Sequence, residues 1–160
     1  MERIVAKYEK AVRELALQMF DLSKTSWLQS QREKLKGGYD LSESEFLALD
    51  VLEEVDVLSV GELRRRVGVL PSQMSRIIKA LEQRYEEKLV LCSINPSDKR
   101  KIDVSITPTG RRAVEAYCRA KIATMVDSLR SLSPRDLAAM SRILDKIRAA
   151  IEAKWPSGGG

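Results

Sequence analysis

The sequence has no histidine, few aromatic residues and only two cysteines. The absence of histidine removes the commonest general base and metal ligand. Neither a Gly-rich dinucleotide-binding motif nor a phosphate-binding loop is present, and no serine or cysteine nucleophile is paired with a plausible base. We therefore expect no catalytic residues, no metal ion and no cofactor. An enzyme is the first alternative class of function, and these expected absences disfavour it.

Cysteine usage and hydropathy indicate where the protein works. Cys92 and Cys118 form no C-x-x-C pair, which disfavours a disulfide framework and an essential redox switch. The N-terminal sequence carries charges where a signal peptide needs an apolar run, and no run approaches the roughly 18 apolar residues that span a bilayer. We expect a cytoplasmic protein that does not enter a membrane.

The abundant residues, Leu, Ile, Val, Ala, Arg and Glu, predict a mainly α fold with one core of ordinary size. Apolar residues at helical spacing predict a long first helix that continues past Trp27 and ends at Gly37-Gly38. Such a helix is too long for one small domain to cover, so part of its apolar stripe should pack on something else. The stripe consists of Ile4, Tyr8, Ala11, Val12, Leu15, Met19 and Leu22.

Capping residues mark the starts of five further helices. These signals are Ser42 with Glu45, Ser59 with Glu62, Pro71, Thr107 with Pro108, and Ser133 with Pro134. Gly68 ends the third helix, so a short turn separates it from the helix that Pro71 begins. The runs LVLCSI and IDVSI flank an Asn-Pro turn and predict a β-hairpin with a basic tip. This order is typical of a winged helix-turn-helix.

The helix that begins at Pro71 has one apolar and one polar face. The polar face consists of Ser72, Arg76, Lys79 and Gln83 and contains no carboxylate. Arg76 can donate two hydrogen bonds to guanine, and Gln83 or Gln73 can read adenine. Ser72, Ser75 and Lys79 suit phosphates or base edges. For Arg76 and Lys79, ordinary solvated helix surface is the alternative interpretation.

Positive charge is concentrated around this helix. From Gly61 to Arg112 there are 12 Lys and Arg residues against 6 Asp and Glu, so this segment accounts for the whole-chain excess of +5. Such a footprint is typical of a protein that binds a polyanion. Besides the helix face, the candidate DNA contacts are Arg64, Arg65, Lys99, Arg100 and Lys101.

In order and spacing, these features resemble the MarR (multiple antibiotic resistance regulator) family across nearly the whole chain. The segments that carry the resemblance are PSQMSR from Pro71, Leu81-Glu82, NPSDKR from Asn95, and ITPTG from Ile106. The resemblance implies a homodimeric transcriptional regulator, expected to be a repressor, on a palindromic operator in double-stranded DNA. It implies a dimerisation helix over 1–36, a winged-helix lobe over 41–110 and C-terminal dimerisation helices over 111–154. The composition of residues 155–160 predicts a disordered tail.

The resemblance also implies individual roles. Arg100 at the wing tip should enter the minor groove with Asp98 orienting it, although a plain Asx-turn role for Asp98 stays open. A small anionic aromatic effector can bind between the helical arms and the lobe, lined by Phe20, Trp27 and Tyr39. These three residues also fall in apolar stripes, which favours ordinary core packing.

Two further points stay open at the level of sequence. The segment from Gln83 to Lys88 is made largely of helix formers and is longer than the usual family turn, so an extra helical turn is one alternative. A winged-helix module that contacts protein or RNA without binding an operator is the alternative function.

Overall fold

The computed structural model describes the backbone of residues 2–34 and 39–154. The predicted helix end at Gly37-Gly38 and the predicted tail over 155–160 lie outside the described residues. The elements are α1 (Glu2–Lys34), α2 (Glu43–Val55), β1 (Val57–Ser59), α3 (Val60–Val67), α4 (Pro71–Gln83), β2 (Val90–Ile94), β3 (Ile102–Ile106), α5 (Pro108–Leu129) and α6 (Pro134–Lys154). Within the described part of the chain, no helix is long and apolar enough to cross a membrane.

The structure confirms the five predicted helix starts, and four of them, at Ser42, Ser59, Thr107 and Ser133, have side-chain capping hydrogen bonds. At α2, the Ser42 hydroxyl accepts a bond from the Glu45 amide at 3.3 Å, and the Glu45 carboxylate accepts one from the Ser42 amide at 2.8 Å. The same reciprocal box begins α3. At α5, Thr107 accepts a bond from the Gly110 amide at 2.9 Å. Each cap satisfies backbone amides that a helix end leaves unpaired.

The three strands form one antiparallel sheet in the order β1-β3-β2. In the predicted hairpin, Val90 pairs with Ile106 at the base and Ile94 pairs with Ile102 near the tip. The third strand, β1, pairs Leu58 with Val104 and was not predicted. The mainly α winged-helix fold with a β-hairpin wing is thus confirmed.

The core lies between α2, α3, α4, the sheet and the first turns of α5. Its fully buried side chains include Leu41, Leu49, Leu52, Leu63, Met74, Leu81, Leu89, Val90 and Val104. At the start of α5, a Cβ added to Gly110 would lie 2.3 Å from the Leu89 carbonyl oxygen. Only glycine permits this approach, which explains the glycine of the ITPTG segment.

The terminal helices contribute little to this core. Helix α1 packs along α5, yet its predicted stripe is exposed from Tyr8 to Leu22. No residue of α6 between Pro134 and Lys154 is buried. The exposed apolar side chains of α6 include Leu137, Ile143, Leu144 and Ile151. One copy of the chain therefore leaves two apolar helix stripes uncovered.

Candidate nucleic-acid interface

The α3-turn-α4 unit has the geometry that the sequence predicts. Helix α3 ends at Gly68, whose φ of 74° lies in the left-handed region that glycine adopts without strain. Leu70 precedes Pro71, the first residue of α4, where a missing amide hydrogen costs nothing. The apolar side of α4, formed by Met74, Ile77, Ile78 and Leu81, is buried.

The opposite side of α4 is exposed. Ser72, Arg76, Lys79 and Gln83 all reach solvent, as the periodicity predicts. The last three line a shallow cleft of about 310 Å³ together with Ala80 and Arg84. The lining contains cations and an amide but no carboxylate, so the cleft attracts anions and can donate hydrogen bonds to base edges.

Gln73 and Ser75 already have partners in the first turn of α4. The Gln73 side-chain oxygen accepts a bond from the Leu70 amide at 3.0 Å, and the Ser75 hydroxyl donates to the Pro71 carbonyl at 3.1 Å. Both residues are exposed. To read a base with the same oxygen, Gln73 would have to release the Leu70 amide, so its DNA contact stays a prediction.

The turn of the β2–β3 hairpin is organised by Asn95. Its side-chain oxygen accepts bonds from the amides of Ser97 and Asp98 at 2.9 and 2.8 Å, and its amide group donates to the Asp103 carboxylate. Asn95 therefore closes an Asx turn at the start of the loop, and Asp98 closes a second one, because its Oδ1 accepts the Arg100 amide two residues on. Sequence reasoning treated Asn95 only as part of the turn and missed this role.

Asp98 holds the wing-tip arginine. Its Oδ1 atom accepts bonds from Arg100 Nε at 3.1 Å and from the Arg100 amide at 3.2 Å. These bonds, above all the one from the Arg100 side chain, keep the pKa of Asp98 below its usual value, so the carboxylate stays ionised to a lower pH than an ordinary aspartate. The Arg100 side chain remains 91% exposed, which leaves it free to meet a groove. The pairing agrees with an orienting role for Asp98, and minor-groove insertion stays a prediction.

A second crevice separates the wing from the start of α3. It measures about 380 Å³, and its charged lining residues are Arg65, Arg100, Lys101 and Glu62. Hydrogen bonds from the Ser59 side chain and backbone hold the pKa of Glu62 below its usual value, so this carboxylate is ionised within the cap. Three cations against one carboxylate leave the crevice positive. Lys99 is exposed nearby in sequence, whereas Arg64 is half-buried and does not line the crevice.

The segment after α4 does not extend the helix. Helix α4 ends at Gln83, and residues 84–88 form a bent connector to β2. The helix formers in this segment are overridden by tertiary contacts, above all those of Arg84. Arg84 lines the α4 cleft beside Gln83 but was not among the predicted site residues. Its position eight residues beyond Arg76, on the same helical side, was the available signal.

The predicted effector residues do not all meet. Phe20 and Trp27 line a crevice of about 440 Å³ between α1, α5 and the start of α2, together with Lys24, Lys121, Met125 and the carboxylate of Glu43. Tyr39 does not line this crevice. Its ring instead contacts the Tyr85 ring at 5.7 Å between centroids, on the connector. Tyr39 is partly buried against the core of the lobe, which agrees with the core-packing alternative for this residue.

Comparisons with known proteins agree with this geometry. The MarR family model matches residues 41–102. The uncharacterized HTH-type transcriptional regulator YsmB of Bacillus subtilis (strain 168) is 20% identical over 150 residues, 94% of each chain. The crystal structure of YusO from Bacillus subtilis superposes with a TM-score of 0.73 at 23% identity, covering 89% of this chain and 97% of that one. The structure of a MarR family protein from Bacillus stearothermophilus superposes with a TM-score of 0.69 at 21% identity, covering 94% of this chain and 97% of that one.

The family match spans the helix-turn-helix, β2 and the turn of the wing, which carry the exposed cationic side chains of α4 and of the wing tip. The structural neighbours share the fold over most of the chain, including the long helices outside the matched region. Together these findings show that residues 41–102 match the MarR family model and that the chain shares its fold with a solved MarR family protein.

Proposed function

We propose that this chain regulates transcription as a homodimer that binds a palindromic operator. Helix α4, here called the recognition helix, reads base edges in the major groove, and the hairpin between β2 and β3 reaches the neighbouring backbone and minor groove. We further propose repression as the direction of regulation, on the family resemblance alone. The observation that carries DNA binding is the exposed, carboxylate-free face of Arg76, Lys79 and Gln83.

The proposal has support from a neighbour of the same fold. A mutant of MepR from S. aureus, solved bound to an oligodeoxyribonucleotide, superposes with a TM-score of 0.62 at 16% identity. That complex concerns MepR. It shows that a protein with this fold can bind DNA, and the cationic face of α4 supports extending the activity to this chain.

Dimerisation rests on the uncovered terminal helices. Tyr8, Leu15 and Leu22 of α1 are each more than half exposed, and so are Ile143 and Ile151 of α6. Apolar surface of this extent is costly in water and usually marks an interface. A two-fold axis would place two recognition helices about one DNA turn apart, near 34–36 Å, which demands an operator with matching symmetry.

The test of this proposal is selection of bound duplexes from a random-sequence library by the purified full-length chain. We expect enrichment of inverted repeats whose half-sites are centred about 10–10.5 base pairs apart. A competing single-stranded RNA pool should not displace them. Enrichment of a single half-site would contradict the two-fold arrangement, and no enrichment, or preference for RNA, would contradict operator binding.

We also propose that the crevice lined by Phe20 and Trp27 binds a small anionic aromatic effector. Lys24 and Lys121 lie at its edge, where they pair with Asp21 at 2.9 Å and with Glu43 at 3.5 Å, so an anionic ligand would compete with these carboxylates for the two cations. The two rings supply a stacking surface. The structure of BpsR from Bordetella bronchiseptica, a neighbour with a TM-score of 0.53, concerns regulation of its DNA binding by 6-hydroxynicotinic acid. Titration with 6-hydroxynicotinate should quench tryptophan fluorescence, and the double Lys24→Gln, Lys121→Gln variant should abolish the change. If the uncharged amide of 6-hydroxynicotinic acid bound as tightly as the anion, recognition of the ligand's negative charge would be contradicted.

A further inference from the structure

The connector between α4 and β2, residues 84–88, returns the chain tightly against the end of the recognition helix. The Arg84 amide donates to the Ala80 carbonyl at 2.9 Å, and the Leu89 amide donates to the Leu81 carbonyl at the same distance. Both ends of the connector are therefore hydrogen-bonded to the last turn of α4. Whatever holds the connector in place also holds this end of the helix.

Arg84 joins this end of α4 to the start of α2. Its Nη2 atom lies 2.5 Å from Glu45 Oε1, and its Nη1 atom lies 3.1 Å from Glu45 Oε2 and 3.1 Å from the Asp40 carbonyl oxygen. The Glu45 side chain is only 5% exposed, whereas that of Arg84 is 46% exposed. The pair is thus a two-point contact with one partner inside the lobe and the other at its surface.

The geometry of this contact constrains direction as well as distance. A bidentate arginine–carboxylate pair is planar, so it resists both sliding and rotation of the two elements. Glu45 also accepts the amide of Ser42 at 2.8 Å, which makes one carboxylate both the cap of α2 and the anchor of α4. Loss of Arg84 would leave a buried carboxylate without its main counter-charge, so the elements would shift to restore a partner or water.

A second set of side chains holds the opposite side of the connector. The Glu87 carboxylate accepts bonds from the Thr109 hydroxyl and from Arg112, the latter at 3.1 Å. These partners belong to the first turn of α5. The connector is therefore braced between α2 and α5, but only the Arg84 contact also lies on the cleft of the recognition helix.

We propose that Arg84 is a positioning residue for base reading. Its pair with Glu45 fixes the angle of α4 in the lobe and thereby sets whether Arg76 and Lys79 reach base edges. The inference rests on the proposed function and extends it, because it separates two properties of DNA binding. Specific binding requires α4 at one angle, whereas attraction to any phosphate backbone requires only positive charge. Loss of the pair should therefore lower the affinity for the operator and leave the affinity for random duplexes unchanged.

A direct phosphate contact by Arg84 is the competing role, since its guanidinium borders the same cleft. The two roles differ in salt dependence. Removal of a phosphate contact weakens binding to every duplex and reduces the slope of log affinity against log salt by about 0.9. Removal of a positioning pair leaves this slope unchanged and lowers only the ratio of specific to random-duplex affinity.

The experiment is a double-mutant cycle with Arg84→Gln and Glu45→Gln in the full-length chain, below the Tm of every variant. Glu45→Gln keeps a side-chain oxygen that can accept the hydrogen bond from the Ser42 amide. Arg84→Lys keeps the positive charge but lacks the planar guanidinium, so it tests whether charge alone restores specificity. Arg119→Gln, which removes an exposed arginine of α5, is the control for net charge. Affinities are measured for the operator obtained by selection and for a random duplex, over a range of salt concentrations.

We expect Arg84→Gln, Glu45→Gln and the double variant each to lower the specific-to-random ratio about tenfold, without additivity and with an unchanged salt slope on random DNA. Arg84→Lys should recover part of the ratio, and Arg119→Gln should keep it. An unchanged specific-to-random ratio in Arg84→Gln would overturn the inference. So would a second result, in which Arg84→Gln weakens binding to every duplex and reduces the salt slope while Glu45→Gln does neither. If the parent chain binds no duplex specifically, the proposed function fails instead.

Discussion

Arg76 is the residue on which base reading is expected to depend most. It is exposed on the side of α4 opposite the buried Ile77 and Ile78, and it shares a cleft with Lys79. We predict that Arg76→Ala costs about 1–3 kcal/mol on the selected operator and relaxes preference at one base pair, because a bidentate contact to guanine is lost. Competition binding with single-base operator variants measures both effects.

Arg119→Ala is the matched control, because this exposed arginine lies on α5 and lines neither the α4 cleft nor the wing crevice. It should leave specificity intact. If Arg76→Ala binds the operator and random duplexes just as the parent does, Arg76 is ordinary solvated surface.

The two cysteines should be poor redox switches. Cys92 is exposed, but desolvation by its neighbours and the nearby carboxylate of Glu82 raise its pKa, and burial with Asp50 and Glu53 raises the pKa of the half-buried Cys118. A raised pKa lowers the thiolate fraction at neutral pH, and the thiolate is the reactive form. Iodoacetamide should therefore modify both thiols more slowly than free cysteine, with the rate rising at higher pH.

A double Cys92→Ser, Cys118→Ser variant should bind and release DNA like the parent. Release of DNA by peroxide that occurs in the parent and disappears in this variant would refute the prediction.

At the residue scale, sequence patterns predicted which side chains face outward but not what they contact. The exposed face of α4 follows from helical periodicity, which is a local property. The partners of Tyr39 and Arg84 lie more than 35 residues away along the chain, at Tyr85 and Glu45, and only the packed lobe brings them together. Sequence patterns therefore left Tyr39 between a crevice and the core, and Arg84 was overlooked.

At the element scale, local signals predicted six helices and one hairpin. Ser42, Ser59 and Thr107 act within three residues of their own partners, so their caps are visible in sequence. Strand β1 has only three residues, Val57–Ser59, and exists because it pairs with β3 more than 40 residues later. Such pairing has no local signature. The connector, residues 84–88, likewise leaves the helix because Arg84 and Glu87 contact residues distant in sequence, Glu45 and Thr109.

The wing should contribute charge rather than base reading. Lys99, Arg100 and Lys101 are exposed at a tip that Asn95 and Asp98 hold in place. We predict that replacing all three with alanine weakens binding to every duplex. Each lost phosphate contact should reduce the slope of log affinity against log salt by about 0.9. Affinities at several salt concentrations measure the slope.

Alanine replacement of Arg119, Arg130 and Arg135, three exposed arginines outside the winged-helix lobe, removes the same charge and should affect the slope less. An unchanged slope in the wing variant would remove the wing from the DNA contacts.

At the scale of the whole molecule, the terminal helices decide whether the chain acts alone. Leu144 is exposed and Ile147 half-buried on α6. We predict that the double Leu144→Glu, Ile147→Glu variant is monomeric and loses specific binding, because charges placed in an apolar interface repel and cost desolvation. Sedimentation and operator binding, measured on the same sample, report the two effects.

Arg142→Gln combined with Ala149→Glu is the matched control for this variant. It changes the net charge equally, on the side of α6 that lies about 180° away by helical spacing. This control should remain dimeric and bind the operator. Loss of the dimer in both variants would show that α6 responds to charge in general and not at a defined interface.

The most direct measurement of the central claim is sedimentation of the parent chain at micromolar concentration, alone and with the selected operator. We predict a species of twice the 18.0 kDa chain mass in the free protein, and one such dimer on each duplex carrying both half-sites. A clean 18.0 kDa monomer that still binds the palindrome tightly would contradict the account.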